Sequence, residues 1–114
     1  MKFIRKHTEG PWKHSTHNEH IVISPKDYVV VAKCGIGEVS VYCDSLLISQ
    51  APAMLDYLIE RAEYIHKILV LNYGYPSESE PREEYAVVEY RSLKTELFRL
   101  LEIIKAAGVE IIDE

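Results

Sequence analysis

From Met54 to Leu69 the apolar residues Met54, Leu55, Leu58, Ile59, Ala62, Ile65 and Leu69 recur at intervals of one, three and four. That repeat places them on one stripe of an α-helix. Asp56, Glu60, Arg61, Glu63 and Lys67 fall on the other side, with Glu63 and Lys67 spaced for an i,i+4 ion pair. A second helical pattern, carried by Val87, Tyr90, Leu93, Leu97, Leu100, Leu101 and Ile104, begins after Pro81. Between the two, Asn72–Glu80 breaks the periodicity with Gly74, Pro76 and two serines. Two rods of about 18 and 25 residues, roughly 27 and 38 Å long, joined by so short a segment, pack most simply as an antiparallel hairpin. Pro52 either opens the first rod at its first turn or kinks a longer helix. Asp44 and Ser45 read as cap residues ahead of Leu46-Leu47-Ile48. Gly108 followed by Val109 reads as a Schellman stop to the last helix, with Glu83 and Glu84 at its positive N-terminal end.

The first part of the chain has a different period. His20–Ser24 is a short β-branched run, and Ser24-Pro25-Lys26-Asp27 supplies turn chemistry. Tyr28–Cys34 is nearly all apolar, which predicts a strand buried on both faces. Gly35-Ile36-Gly37 offers a hairpin loop, and Glu38–Cys43 alternates as a third strand should. The predicted fold is therefore α+β: a small antiparallel β meander of three or four strands packed against an antiparallel pair of long helices. As one domain it divides into a meander over 1–43, a helix region over 44–71, a loop over 72–81, a long helix over 82–108 and a short strand or tail over 109–114. That sheet is small for rods so long. Apolar surface left over predicts a homodimer or higher homo-oligomer.

Composition bounds the function. The 114 residues carry a net charge of -5, and an acidic body repels phosphate backbones. The basic residues Lys2, Arg5, Lys6 and Lys13 gather near the start, so a nucleic-acid-associated regulator using that segment is the alternative reading. No apolar run approaches the length of a membrane span, and residues 1–7 carry no apolar stretch of the secretory kind. Two cysteines make no disulfide framework, so Cys34 and Cys43 read as small buried hydrophobes in a reduced, cytoplasmic setting.

Catalytic chemistry has little to stand on. No GxSxG elbow or complete phosphate-cradling loop is present, so a non-enzyme without a cofactor is expected. His14, His17 and His20 are weak metal candidates, because in an extended segment His17 points away from the other two. Trp12 after the Gly10-Pro11 turn, with Tyr73 and Tyr75 between the helices, are the candidate ligand-binding residues, since exposed aromatics near cations stack on planar ligands.

Two stretches resemble a known family. Thr8-Glu9-Gly10-Pro11-Trp12 and the helix Asp44–Leu58, with its Ala51-Pro52 pair, are similar to a group of small phage and prophage proteins of unassigned role. Those share a TxGPW start and an NAxLIxxAPxLLxxL helix. The likeness covers residues 8–58; this chain has Asp44 where the pattern usually has Asn, and Ser45 and Ser49 where it usually has Ala. The resemblance implies origin in a mobile element and action in a bacterial host's cytoplasm, and it brings no catalytic residues. The resulting expectation is a non-enzymatic accessory protein, active in host takeover or anti-defence, that binds a host protein or sequesters a small nucleotide-like ligand.

Overall fold

The computed structural model describes residues 1–15, 21–26, 29–34, 39–76 and 80–113, and for 39–43 the backbone alone. It is an α+β protein with antiparallel strands in two sheets. Strands β1 (Lys2–Ile4), β2 (Lys13–His14), β3 (Ile21–Ser24) and β4 (Val29–Lys33) precede the helices α1 (Val39–Ser49), α2 (Ala51–Tyr73) and α3 (Glu84–Ala106), and β5 (Glu110–Ile112) follows. The chain forms two compact units, His7–Asp56 and a second made of Met1–Lys6 with Tyr57–Glu114. No described helix is long and apolar enough to cross a membrane.

In the first unit β2, β3 and β4 form an antiparallel meander with β3 in the middle. Central position explains the burial of Val22 and Ser24 on one face of β3, both fully inaccessible. Val22 pairs with Ala32 and Ile23 with Val30, so Val31 is an extra residue and β4 is bulged there. The prediction that β4 is buried on both faces is corrected. It is an edge strand, and Val29 and Val30 are 43% and 48% exposed.

A second correction concerns residues 39–43, predicted as strand and observed in α1. The expected strand, Glu38–Cys43, has too few residues to separate two periods. Val39, Val41 and Cys43 alternate, but Val39, Tyr42, Cys43 and Leu46 also recur at the spacing of a helix. Asp44 and Ser45 consequently lie inside α1 instead of capping it. Ser45 is fully buried and Ser49 nearly so, whereas Leu46 and Leu47 are exposed. Among the described side chains of α1, which contacts β2, β3 and β4, the buried ones are thus small. The Ser49 hydroxyl donates back to the Leu46 carbonyl, which satisfies it without a distant partner. The Gly35–Gly37 hairpin falls outside the described residues.

Pro52 sits in the first turn of α2, where its missing N–H costs nothing. Helix α1 ends at Ser49, and the Gln50 carbonyl accepts from the Met54 amide as the first bond of the new helix. There are two helices here, not one kinked rod.

In the second unit α2 and α3 run antiparallel. Arg61 meets Glu96, and further along α2 Tyr73 meets Tyr90, earlier in α3. The buried set is Ile59, Ala62, Ile65 and Leu69 from α2, with Tyr90, Leu97, Leu100 and Ile104 from α3. Met54, read as part of the apolar stripe, is 51% exposed. Glu63 and Lys67 are both exposed and make no ion pair with each other. After α3 the Val109 amide donates to the Ile104 carbonyl and the Gly108 amide to Lys105, with Gly108 at φ 89°. This is the Schellman arrangement. It buries Val109 and turns the chain so that β5 pairs with β1 in a separate two-stranded sheet, Phe3 opposite Ile111. Residues 2–4 therefore belong to this unit, not to the meander.

Candidate binding surfaces

Trp12 lies in the first unit, half-buried, with its indole N–H donating to the Thr8 carbonyl at 3.0 Å. The Thr8–Trp12 turn is held from β3 as well. The buried Ser24 hydroxyl donates to the Glu9 carbonyl (3.1 Å), and Lys26 binds the Glu9 carboxylate at 2.8 Å. The Lys26 hydrogen bond, and then its charge, lowers the Glu9 pKa below the ordinary value. On the other side Gly10 abuts Pro52. A methyl group built on Gly10 would lie 2.6 Å from the Pro52 Cβ, closer than carbon atoms tolerate. The motif containing Trp12 is in large part a packing device.

Of the metal candidates, His17 and His20 lie outside the described residues and His14 is in β2, half-buried. No group of three potential ligands forms among the described residues. Cys34 is a free, half-buried thiol, and Cys43 belongs to α1.

The tyrosines belong to the second unit and separate into two roles. Tyr73 is the last residue of α2, not a loop residue, and its ring meets Tyr90 edge-on at 5.5 Å. Burial first, and then a hydrogen bond to Glu89, raises its pKa. Tyr75 is placed by the end of the helix. Gly74, at φ 65°, donates its amide to the Val70 carbonyl, and the Tyr75 amide donates to Leu69. That left-handed cap turns Tyr75 back along α2, where its ring packs edge-on against His66 at 5.9 Å.

His66 and Tyr75 border a cavity of about 350 Å³. Leu97 and Leu101 of α3 line it, and Phe98, 46% exposed, adds an aromatic face. Glu102, Lys105 and Asp113 supply charge of both signs. The sequence pointed to Tyr75 but not to His66, Phe98 or Lys105. Phe98 and Lys105, seven apart on α3 and off its buried stripe, were the available signal.

A second surface runs along the hairpin. Tyr57, Tyr64 and Leu71 repeat every seven residues on α2 and are 67%, 56% and 70% exposed. Beside them Arg61 binds Glu96 through both carboxylate oxygens, at 2.9 and 3.3 Å, and the guanidinium lies 5.6 Å from the centre of the Tyr64 ring. Along α3 the exposed Val88, Ser92, Thr95, Arg99 and Ile103 follow one stripe. A seven-residue repeat of large apolar side chains outside the core stripe was legible in the sequence and was missed.

No family model, curated protein or solved structure matches the chain.

Proposed function

We propose that this protein is a non-catalytic binding protein that works by protein–protein contact, with the Tyr57–Tyr64–Leu71 flank of the helical hairpin as its working surface. The observation that carries this reading is the exposure of those three large side chains, more than half open to water at a regular interval. Large aromatic and aliphatic groups so placed are the usual anchors of a protein interface. The resemblance over residues 8–58 supplies the proposed setting, a phage or prophage protein in the cytoplasm of its bacterial host.

The partner proposed for this protein is a second copy of the chain, and α3 offers it a further exposed stripe. The exposed stripe of α3 is nearly self-complementary about Thr95, with Val88 seven residues before it and Ile103 eight after. In an antiparallel two-fold pairing Val88 faces Ile103, and Arg99 faces Ser92. Arg99 makes no ion pair with any described residue, so it is available to the Ser92 hydroxyl across such an axis.

The nucleic-acid reading draws less support. Lys6 pairs with Glu110, Lys26 with Glu9, Arg61 with Glu96 and Arg91 with Glu80. Cations already facing carboxylates gain less from phosphates, and the net charge is -5. A polyphosphate nucleotide in the cavity would also meet Glu102 and Asp113. Light scattering on the purified chain tests the proposal. A mass that falls from two protomers to one on dilution supports it, and a single protomer at every concentration removes the self-association.

A further inference from the structure

We infer that the cavity bordered by His66, Tyr75 and Phe98 is a binding site for a small zwitterion with an apolar or aromatic side chain, the chemical class of a free α-amino acid. Its volume of about 350 Å³ is at the small end of the range for small-molecule sites.

The wall chemistry selects the ligand. Glu102, Lys105 and Asp113 border the same space, and none of the three side chains makes an ion pair or hydrogen bond with any described residue. Both signs of charge are thus present, without a side-chain partner among the described residues. An uncharged hydrocarbon would desolvate them without compensation. A phosphate would face the two carboxylates beside Lys105. A zwitterion places its carboxylate toward Lys105 and its ammonium toward Glu102 or Asp113, as charge-assisted hydrogen bonds. Leu97, only 1% exposed, and Leu101 then offer an apolar surface, and the half-open Phe98 ring a stacking partner, for the ligand's side chain. The edge-on pair of His66 and Tyr75 closes one side and is fixed by the cap at Gly74. This site is separate from the Tyr57–Tyr64–Leu71 flank, so either proposal can fail alone.

The experiment is an amide-resolved NMR titration with L-phenylalanine, N-acetyl-phenylalanine, phenethylamine and adenosine monophosphate. Phenylalanine is expected to give saturable shifts at Tyr75, Phe98 and Lys105. Removing either charged group from the ligand is expected to weaken binding about tenfold or more. Lys105 and Asp113 are exposed, so Lys105→Met and Asp113→Asn should fold, as circular dichroism would verify. Lys105→Met should weaken phenylalanine and leave phenethylamine unchanged, and Asp113→Asn should weaken both phenylalanine and phenethylamine while sparing N-acetyl-phenylalanine. No saturable shift with phenylalanine at millimolar concentration would overturn the assignment. So would adenosine monophosphate binding as tightly, or variants that leave all four ligands unaffected.

Discussion

Gly10 and Pro52 lie against each other so closely that a β-carbon on the glycine would stand 2.6 Å from the proline Cβ and 3.0 Å from its Cγ. The contact joins the Gly10-Pro11-Trp12 turn to the first turn of α2. Gly10→Ala should therefore destabilise the chain by about 1–3 kcal/mol, the usual penalty of overpacking. Pro52→Gly in the same chain should recover part of that loss. Urea unfolding of the single and double variants gives the coupling. An unchanged midpoint for Gly10→Ala would show that the turn yields freely.

Gly74 presents a different case. Its φ of 65° is left-handed, yet nothing lies within 4 Å of the place its β-carbon would occupy. Only the backbone penalty remains, so Gly74→Ala should cost about 1 kcal/mol. Gly74→Asn should cost less, since asparagine tolerates this region. Thermal unfolding of both variants checks the order.

Leu69 and Leu71 are two positions apart on α2, one fully buried and the other 70% exposed. Leu69→Ala should cost about 2–5 kcal/mol through lost burial and a cavity. Leu71→Ala should stay within about 0.5 kcal/mol in the isolated chain. Equal effects would place the core stripe of α2 on the wrong face.

Acid should act on the stability through Glu9 and Glu80. Lys26 holds Glu9 below its ordinary pKa, and hydrogen bonds from Arg91, then its charge, do the same for Glu80. A carboxyl whose folded pKa is lowered stabilises the fold above its unfolded value, and the benefit is lost as pH falls through the folded value. Both pairs are exposed, so each effect is small. Carboxyl NMR titration should place both below the ordinary glutamate value. Glu80→Gln should flatten the acid limb of the stability curve and leave stability at pH 3 nearly unchanged.

The helical half was legible because long stripes carry their own proof. Ile59, Ala62, Ile65, Leu69, Tyr90, Leu97 and Ile104 could be assigned to a core from spacing alone. The Gly108 stop could be read the same way, since a glycine and a following apolar residue mark it. Short elements were less legible. Val39–Cys43 fits either period, and the decision rests on tertiary contacts between α1 and the meander that no local window contains. Burial of Ser45 and Ser49 with Leu47 outside inverts the hydrophobic expectation, because close approach of α1 to the strands requires small side chains there. The cavity was legible only at Tyr75. The helix cap brings Tyr75 back to His66, and Asp113 borders the cavity beside the β1–β5 sheet, relationships set by the folded chain and not by sequence neighbours.

The most direct test of the contact surface is sedimentation of the wild type beside Tyr57→Lys/Tyr64→Lys, in which the two exposed rings become charges. The account predicts a wild type that dimerises reversibly, and a double variant that stays monomeric with the same urea midpoint for the protomer. Association unchanged in the double variant, or a wild type monomeric throughout, would contradict it.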